Sequence, residues 1–483
     1  MAVDQMSGPW RLVFPAGAFR ILRDHLFPGD HDEHGAVLAC GTVASDRGTR
    51  LLVRDVFLAR DGIDYVPGER GYRMVTADFV RDHALYCRDE KLAYLAVHCH
   101  RGDDSVWFSP DDIASHERGY PALLDILEDQ IVGGIVFAPN AVAGDLWLPG
   151  RGWIRRELSE TVVVGRPVRT LYPRPSQPTS ISDRTYDRQS RIFGDRGQEV
   201  LARQKVGVIG AGGAGSLLIE YLARLGVGHI VVVDPDRIDV TNLSRVVDAT
   251  RRDALSWFAS GPTWVRRIAA RWARLKVAIA TRVARRANPK IRIEAVADDF
   301  TRDHVARLVT DCDFVFLAAD PMQVRLVFNA LVHQYLIPGA QVGAKVRVDR
   351  ETGSVVDAYS VYRPVTPDCG CLWCNGLVPP SLLQEEAMNE RERAAQRYVE
   401  DELIVAPSVI TLNAVAVSHA VDDYLFTITG LLSEAATGDY VRFLPQMRDV
   451  MFDEPRKDEA CPECSHAPGS RFARGNGRDL PTR

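Results

Sequence analysis

Four glycines near the middle of the chain have the spacing of a phosphate-binding turn. Gly210, Gly212 and Gly215 stand in the pattern G-x-G-x-x-G, with Gly213 between them. An apolar run at 206–209 precedes them and predicts a buried parallel strand, and a helical pattern follows. Unpaired backbone N–H groups at the start of a helix bind phosphate. The turn therefore predicts a nucleotide site, on which NAD, FAD, S-adenosylmethionine or ATP would fit.

Two carboxylates follow strands of the same predicted sheet. Asp234 ends the apolar run 230–233, where an acidic residue is placed to bind ribose hydroxyls. Asp320 ends the apolar run 314–319, at the carboxyl edge where ligands bind in open α/β folds. A carboxylate at that edge can hold Mg²⁺ against phosphates. The pattern predicts a Rossmann-like domain with a mainly parallel sheet.

A second group of possible ligands lies in the first third of the chain. His98 and His100 stand two residues apart at the end of the apolar run 92–98, so both rings leave the same face of a strand. A carboxylate at a nearby helix start would complete three protein ligands. Three ligands with an open fourth position are the arrangement of a catalytic zinc, which lowers the pKa of bound water.

Two C-x-x-C pairs indicate a further metal site. The pairs are Cys371 with Cys374 and Cys461 with Cys464. Four cysteine sulfurs suit closed, tetrahedral zinc coordination, so this zinc would be structural. A redox role would need only one such pair at a helix start. Cys369 is a spare thiol beside the first pair.

Length and composition indicate the class of protein in which these sites lie. The chain has 483 residues, which predicts two or three domains, and 46% hydrophobic with 25% charged residues is typical of globular proteins. The net charge of −5 gives no general case for nucleic acid binding. We expect a cytoplasmic protein, because no apolar run has transmembrane length and the N-terminus does not resemble a signal peptide. Nine cysteines then favour thiols and metal sites over disulfides.

The pattern of predicted strands, helices and polar stretches divides the chain into four segments. Residues 1–164 alternate predicted strands and helices, and residues 165–182 are rich in Pro, Ser and Thr and predict an extended linker. The second domain is expected at 183–466, and a disordered tail at 467–483.

The second domain resembles the ThiF/MoeB family and the adenylation domains of ubiquitin-activating enzymes. Several motifs in order carry the resemblance: Tyr186-Asp-Arg188-Gln189, Arg191-Ile-Phe-Gly194, Asp234-x-Asp236, Asn242-Leu-Ser-Arg245, Lys276, Asn288-Pro289, and Asp320 with Arg325. The resemblance implies that Arg188 reaches the ATP phosphates, often across a two-fold dimer. It also implies that Asn242 and Arg245 lie near the triphosphate and that Lys276 pairs with its β- or γ-phosphate. The expected cofactors are ATP and Mg²⁺.

The same family implies a crossover segment and an acyl acceptor. The region 380–405 would cover the adenylate and the tail of a ubiquitin-like protein. Conjugating members of the family carry a thioester cysteine just beyond the first C-x-x-C pair, but no cysteine occurs from residue 375 to 460. Either the reaction stops at the adenylate, or a partner's thiol takes the acyl group, or Ser381 or Ser408 forms an ester. Cys369 is a further candidate.

The first domain resembles the JAMM (JAB/MPN) isopeptidases through its H-x-H and the S-x-x-D that follows. The resemblance implies that His98, His100 and Asp112 bind zinc, that Ser109 stabilises an oxyanion and that Glu33 is the general base. This chain has Arg101 where the family has proline, and the gap before Ser109 is one residue longer, which leaves Asp111 as an alternative ligand. The two histidines could instead lie on a domain whose enzymatic site has decayed.

An insert separates Arg245 from Lys276 and is longer than the family pattern requires. It contains six arginines and three tryptophans, namely Arg251, Arg252, Arg266, Arg267, Arg271, Arg274, Trp257, Trp264 and Trp272. We predict an amphipathic surface helix packed by its tryptophans. Binding of an acidic partner or RNA is the alternative.

Together these features favour a bifunctional enzyme of a ubiquitin-like pathway. One head would adenylate the C-terminus of a ubiquitin-like protein, and the zinc head would cleave peptide or isopeptide bonds to that modifier. A conjugating-enzyme partner and a homodimer are expected, and a membrane or nucleic acid partner is not. The alternatives are activation of a sulfur-carrier protein for cofactor biosynthesis with a carrier-processing JAMM head, an NAD-dependent oxidoreductase, and a non-catalytic scaffold.

Overall fold

The computed structural model describes residues 8–68, 73–150, 153–175, 183–349, 352–387, 407–433 and 435–483. The chain forms two compact units. The first unit comprises Met1–Pro178, His333–Leu336 and Glu459–Asp479, and the second comprises Thr179–Val332, Ile337–Asp458 and Leu480–Arg483. Among the described residues, no helix is both long and apolar enough to cross a membrane.

The first unit is an eight-stranded mixed sheet with helices packed on it. Its elements are β1 (Trp10–Pro15), α1 (Ala16–Leu26), β2 (Gly35–Ser45), β3 (Gly48–Leu58), α2 (Ala77–Asp89), β4 (Ala93–Cys99), α3 (Pro110–Leu127), β5 (Val132–Ala138), β6 (Ala141–Leu148), β7 (Ile154–Val164) and β8 (Arg169–Leu171). The strand order is β1-β3-β2-β4-β5-β6-β7-β8, and β1 also pairs with β7. The site-bearing strand β4 therefore lies inside the sheet, between β2 and β5.

Two apolar layers cover the faces of this sheet. One layer contains Phe14, Phe19 and Phe137, and the other contains Tyr94 and Trp147. Strands β5 and β6 are buried along their whole length, which explains their almost continuous apolar sequence. Burial on both faces fixes the register of β4. The core therefore determines on which face of the sheet the side chains at the end of β4, including His98, lie.

The predicted linker is partly sheet. Residues 169–171 form β8, which pairs antiparallel with the end of β7. An edge strand leaves a row of unpaired N–H and C=O groups, and the following chain satisfies some of them here. Residues 176–182 of the predicted linker lie outside the described residues.

The second unit is an eight-stranded sheet whose first five strands are parallel. Its strands are β9 (Lys205–Ile209), β10 (His229–Val233), β11 (Arg292–Val296), β12 (Phe314–Leu317), β13 (Gly339–Val348), β14 (Val355–Val365), β15 (Tyr440–Leu444) and β16 (Asp449–Asp453). Their order is β11-β10-β9-β12-β13-β14-β15-β16, and the last three are antiparallel to their neighbours. The predicted α/β class with a mainly parallel sheet is confirmed for this unit.

Eight helices of the described residues accompany this sheet. They are α4 (Asp187–Arg203), α5 (Gly213–Leu225), α6 (Thr263–Trp272), α7 (Lys276–Ala287), α8 (Asp303–Ala306), α9 (Met322–Tyr335), α10 (Pro380–Ala387) and α11 (Ile410–Thr429). Helices α5, α7 and α11 share one core with the parallel strands, in which Tyr424 of α11 contacts Phe314 and Phe316 of β12. The predicted crossover segment 380–405 begins with α10, and its residues 388–405 lie outside the described residues.

The C-terminal segment does not match the predicted disorder. Phe472 and Ala473 are buried in the first unit, and the backbone N–H of Asn476 donates to the carbonyl of Thr42 on β2 at 2.9 Å. The buried guanidinium of Arg54 donates to the carbonyl of Phe472 and, at 3.3 Å, to Ser470 Oγ. Because a buried guanidinium needs several acceptors, the tail is ordered by hydrogen bonds that its polar composition does not reveal.

The prediction that tryptophans pack the arginine-rich insert is also wrong. Trp257, Trp264 and Trp272 are 58%, 66% and 74% exposed. Helix α6 is held instead by small residues, with Ala269 and Ala273 buried. The amphipathic pattern is therefore present, but its aromatic side faces solvent.

Candidate functional site

The end of β4 brings the two predicted histidine ligands together in the first unit. His98 Nε2 lies 3.1 Å from His100 Nε2. Asp112 completes the group, with Oδ1 at 3.4 Å from His98 Nε2 and Oδ2 at 3.3 Å from His100 Nε2. One atom from each of these residues lies within 4.8 Å of the others, so the three could hold one metal ion. Two imidazoles and a carboxylate are a donor set that fits zinc.

Helix α3 begins with a capping box that fixes the carboxylate of this group. Ser109 is the N-cap, and its Oγ accepts from the backbone N–H of Asp112 at 3.2 Å. The Ser109 backbone N–H donates to Asp112 Oδ2 at 2.7 Å, and its hydroxyl donates to the same oxygen at 2.8 Å. Asp111 is exposed and outside the group. The longer gap after His100 therefore ends at a helix start that presents Asp112 to the histidines.

Hydrogen bonding also sets the charge of the group. Burial disfavours the Asp112 carboxylate, but hydrogen bonds from His100 and His98 outweigh burial and hold its pKa well below the usual range. The hydrogen bond to Asp112 raises the pKa of His100. His100 Nδ1 lies 3.1 Å from the carbonyl of Trp107, which accepts when that nitrogen carries the proton. In the neutral ring that tautomer has no proton on Nε2, so a metal would take the place of the hydrogen bond from Nε2 to Asp112.

A cavity opens beside this group and contains the predicted general base. Its volume is about 710 Å³, and its walls are the loop 27–33 on one side and residues 99–102 with 105–107 on the other. Glu33 and His100 both line it. Burial raises the pKa of Glu33, although His98 and His100 nearby counter this effect. Arg101, on the wall of this cavity, donates from Nη2 to the carbonyl of His31 at 3.3 Å.

A buried network behind α3 was not predicted from the sequence. His116 follows Asp112 by one helical turn, and its Nδ1 lies 2.9 Å from Asp145 Oδ2 on β6. Asp145 also accepts from Trp147 Nε1 at 2.9 Å and from Arg155 at 3.0 and 3.1 Å. The network fixes the helix that carries Asp112 to the sheet. A histidine four residues after the candidate ligand was the available signal.

In the second unit, the glycines form a tight turn between β9 and α5. Gly210 has φ +95°, and Gly212 is the N-cap of α5. A Cβ on Gly215 would lie 1.9 Å from the carbonyl oxygen of Gly210, so only glycine allows helix and turn to approach this closely. A Cβ on Gly213 would lie 2.6 Å from Asn413 Nδ2 of α11. Asn413 therefore lies over the turn, and its burial on the packed side of α11 among apolar residues is consistent with a local role.

Three predicted residues form a charged cluster next to the turn. Asp234 is buried, and its Oδ2 accepts from the backbone N–H of Ala211 at 2.7 Å. Lys276, the first residue of α7, lies with Nζ 2.6 Å from Asp236 Oδ2 and 4.0 Å from Asp234 Oδ1. Burial raises the pKa of Asp234, and the charge of Lys276 counters this effect. Sequence positions 42 residues apart thus meet at the carboxyl edge of β10.

Asn242 and Arg245 belong to the loop after β10. Asn242 Oδ1 accepts from the Asp239 backbone N–H at 3.2 Å, in a capping box of a short 3₁₀ turn. The aliphatic stem of Arg245 lies against Gly213, with Cδ 3.3 Å from where a Cβ of that glycine would be. Arg245 is thus brought to the glycine turn, whereas Asn242 has a local structural contact.

Two of the remaining predicted residues of this unit, Asp320 and Arg188, are open to solvent. Strand β12 ends at Leu317, three residues before Asp320, whose side chain is fully exposed. Arg325 is largely buried, and its Nη2 lies 3.8 Å from Asp320 Oδ1. Arg188, in the first turn of α4, is exposed.

The four predicted cysteine ligands form a group. Their Sγ atoms all lie within 4.8 Å of one another, and Cys371 and Cys374 are 3.5 Å apart. Cys371, Cys461 and Cys464 are buried. Four sulfurs in such a group could bind a zinc ion, because thiolates are its preferred structural ligands.

Comparison with known proteins agrees with the geometry of the second unit. The model of the ThiF family matches residues 186–465. The chain is 30% identical over 210 residues to the SAMP-activating enzyme E1 of Haloferax volcanii, which covers 41% of this chain and 71% of that protein. It is 32% identical over 146 residues to a sulfur carrier protein adenylyltransferase of Thermus thermophilus, covering 30% of this chain and 47% of that protein.

Two further similarities are weaker. The chain is 28% identical over 155 residues to the tRNA threonylcarbamoyladenosine dehydratase of Escherichia coli, covering 32% of this chain. It spans about half the length of that protein and of the T. thermophilus relative, at 51% and 47%. Among solved structures it is similar to MccB of E. coli, with TM-score 0.44 and 18% identity over 60% of this chain and 75% of that one. Since the family model matches more than half of the 483 residues, the chain belongs to the ThiF family.

Proposed function

We propose that the second unit uses ATP and Mg²⁺ to adenylate the C-terminal carboxylate of a ubiquitin-like protein. The observation that carries the proposal is the cluster of Lys276, Asp234 and Asp236 beside a glycine turn, in a chain of the ThiF family. Two relatives support it, because their names describe activation of a sulfur carrier protein and of SAMP.

The proposed reaction needs cations around a phosphate more than it needs covalent catalysis. The carboxylate attacks the α-phosphorus of ATP, pyrophosphate leaves, and an acyl adenylate forms on the modifier. Lys276 and Arg245 would stabilise the charge that builds up on the phosphates. Asp320 would hold Mg²⁺ against them, and Asp234 would accept from the ribose hydroxyls.

A second copy of the chain would complete this site. The exposed position of Arg188 on α4 supports a role across a two-fold axis, since an exposed side chain is free to reach a neighbouring subunit. The acyl acceptor would be a thiol of a partner protein, because the sequence has no cysteine from 375 to 460.

The adenylation proposal is tested by ATP–pyrophosphate exchange with a candidate ubiquitin-like protein. We expect exchange with the wild type and none with Asp320→Ala, and intact mass should show an adenylated C-terminus. Saturable binding of NAD instead of ATP would contradict the proposal and favour an oxidoreductase. Activity with a sulfur carrier protein only, and no conjugate formation, would select the cofactor-biosynthesis alternative that the T. thermophilus relative favours.

We further propose that the first unit is a zinc-dependent peptidase or isopeptidase of the JAMM type that acts on the same modifier. Support comes from the His98, His100 and Asp112 group and from Glu33 in the adjoining cavity. In such a site zinc lowers the pKa of a bound water and polarises the carbonyl under attack. Glu33 would accept a proton from the attacking water.

The role of Ser109 in this proposal depends on its hydrogen bond to Asp112. Its single hydroxyl proton is donated to Asp112 Oδ2. Stabilisation of an oxyanion by Ser109 therefore requires that this hydrogen bond be released first. Until then, Ser109 positions Asp112.

The two roles can be separated with matched variants. His98→Ala should lose one of the two expected zinc ions and all cleavage of a modifier–peptide fusion, whereas Glu33→Gln should retain both zinc ions and lose cleavage. Zinc retention is measured by elemental analysis after dialysis. Full cleavage by Glu33→Gln would exclude that residue as the base, and no cleavage by the wild type would favour a decayed site. The four-cysteine group would hold a second, structural zinc.

A further inference from the structure

One side of helix α6 carries an apolar row that faces solvent. Trp264, Ile268 and Trp272 are 66%, 52% and 74% exposed. They stand four residues apart, so their side chains follow one another along the same side of the helix. Trp257 and Phe258, in the short turn before α6, are 58% and 41% exposed. Exposed aromatic groups of this density indicate a surface that another molecule covers.

The other side of α6 attaches it to its own unit. Ala269 and Ala273 are buried there, and Val265 is half-buried. Just after the helix, the carbonyl of Arg274 accepts from the backbone N–H of Ile238 at 2.8 Å. The helix is therefore held by a small-residue face, and turning the tryptophans inward would break these contacts.

The arginines beside the apolar row restrict the charge that a partner surface can have. Residues 254–275 contain four arginines and no Asp or Glu. Arg267 and Arg271 are exposed and lie one turn apart beside the apolar row. The acid just before this stretch, Asp253, is buried and already accepts from Arg282 at 2.8 Å. A complementary surface must therefore supply negative charge along one flank of an apolar row.

We propose that α6 is the docking site for an acidic amphipathic helix of a partner protein. A row of side chains at every fourth position packs into the grooves of another helix, and flanking charges then select partner and orientation. Tryptophan and arginine are also the residues that dominate binding energy at protein interfaces.

The chain that follows α6 leads directly to the proposed nucleotide site. The backbone N–H of Lys276 donates to the carbonyl of Asp236 at 2.9 Å, so the end of the insert is bonded to the loop that carries the proposed nucleotide site. A partner held on α6 is thus placed beside Lys276. Under the proposed function, such a partner would be positioned as the acceptor of the activated acyl group, although the docking itself does not depend on that activity.

The test uses a helical peptide of defined charge as the probe. It is fluorescein-labelled, about 20 residues long so that it can be helical, with leucine at the a and d positions and glutamate at the flanking ones. We expect saturable binding by anisotropy to the full chain. Binding should weaken at least about tenfold for the double variant Trp264→Ala with Trp272→Ala.

A charge-reversed variant tests whether the arginines of α6 select the charge of the peptide. Arg267→Glu with Arg271→Glu should lose the glutamate peptide and gain the peptide in which lysine replaces glutamate. The matched control, Arg285→Glu with Arg292→Glu, changes the net charge equally at exposed positions outside the insert and should bind like wild type. Circular dichroism and the thermal midpoint verify that each variant is folded.

Three outcomes would overturn the proposal. One is the absence of binding by the glutamate peptide to the wild-type chain. Another is equal binding by the tryptophan variant or by the charge-reversed variant. The third is tighter binding of α6 to poly(U) RNA or to phosphatidylserine vesicles, with loss in the same variants, since that would assign the surface to nucleic acid or membrane.

Discussion

The two candidate sites differ in how much of each the chain assembles by itself. In the first unit, two histidines and a carboxylate already lie within 4.8 Å, and a capping box and a backbone carbonyl orient them. In the second unit, Lys276 and Asp234 are in place, but Asp320 and Arg188 extend into solvent. A site for one small ion can be completed by two neighbouring elements. A site for a nucleotide and a protein tail is wider, and its substrates must bring the remaining groups together.

The largest effect is expected from a substitution in the glycine turn between β9 and α5. Gly215→Ala places a Cβ 1.9 Å from the carbonyl oxygen of Gly210, where backbone cannot move aside. We expect loss of ATP binding by isothermal calorimetry and destabilisation of the second unit by about 3 kcal/mol or more. The matched control is Gly343→Ala on β13, outside the turn, whose Cβ would make only an ordinary contact at 3.8 Å with Val361. Equal behaviour of the two variants would contradict the role of the close approach.

A second change tests whether the cation of the nucleotide site acts on the reaction. Lys276→Ala removes the ammonium that lies 2.6 Å from Asp236. We expect the rate of ATP–pyrophosphate exchange to fall roughly 10²–10³-fold, as for other groups that stabilise transition-state charge. Lys290→Ala, which removes an exposed lysine paired with Asp183 at 2.9 Å, should change the rate little. A comparable loss in both variants would indicate a general effect of charge.

A third change tests whether the first site owes its assembly to the network behind α3. His116→Ala removes the hydrogen bond to Asp145 without removing a candidate ligand. We expect the affinity for Zn²⁺ to fall about 10–100-fold in competition with a chelator, as for groups that orient metal ligands. Arg118→Ala, at an exposed position on the same helix, serves as the control. Unchanged affinity would mean that the capping box alone positions Asp112.

The smallest expected effect concerns pH. Burial disfavours the Asp145 carboxylate, but hydrogen bonds from His116, Arg155 and Trp147 outweigh it and lower its pKa. Because the folded pKa is below the unfolded one, the resulting stability is present above about pH 4 and is lost as pH falls through the folded pKa. Asp145→Asn should therefore lower the free energy of unfolding by about 1–3 kcal/mol near pH 7 and by less near pH 3. Urea unfolding at both pH values measures this, with Asp125→Asn as the exposed control.

Sequence reasoning succeeded where local spacing determines geometry. The pattern of glycines implied a strand, a turn and a helix, and β9 and α5 are the elements on either side of that turn. The H-x-H at a strand end likewise put both imidazoles on one face. Periodicity and turn chemistry act over a few residues, so they can be read without knowing the rest of the fold.

Sequence reasoning failed where long-range contacts decide. Asp111 and Asp112 could not be distinguished until the start of α3 was known, because adjacent helical residues point about 100° apart. The segment after Ala467 has the composition of a disordered tail, yet the buried Arg54 binds its carbonyls. The insert was expected to bury its tryptophans, but Ala269 and Ala273 occupy the packed face.

The sequence by itself determined the α/β class of the second unit, the strands and turns that carry the candidate ligands, and membership of the ThiF family. Only the tertiary structure decided that Lys276 meets Asp234 and Asp236, that Asp112 joins the two histidines, and that the aromatic row of α6 faces solvent. The physical reason is that a residue type and its spacing fix the local backbone. Which groups meet depends on burial and hydrogen bonding between segments far apart in the chain.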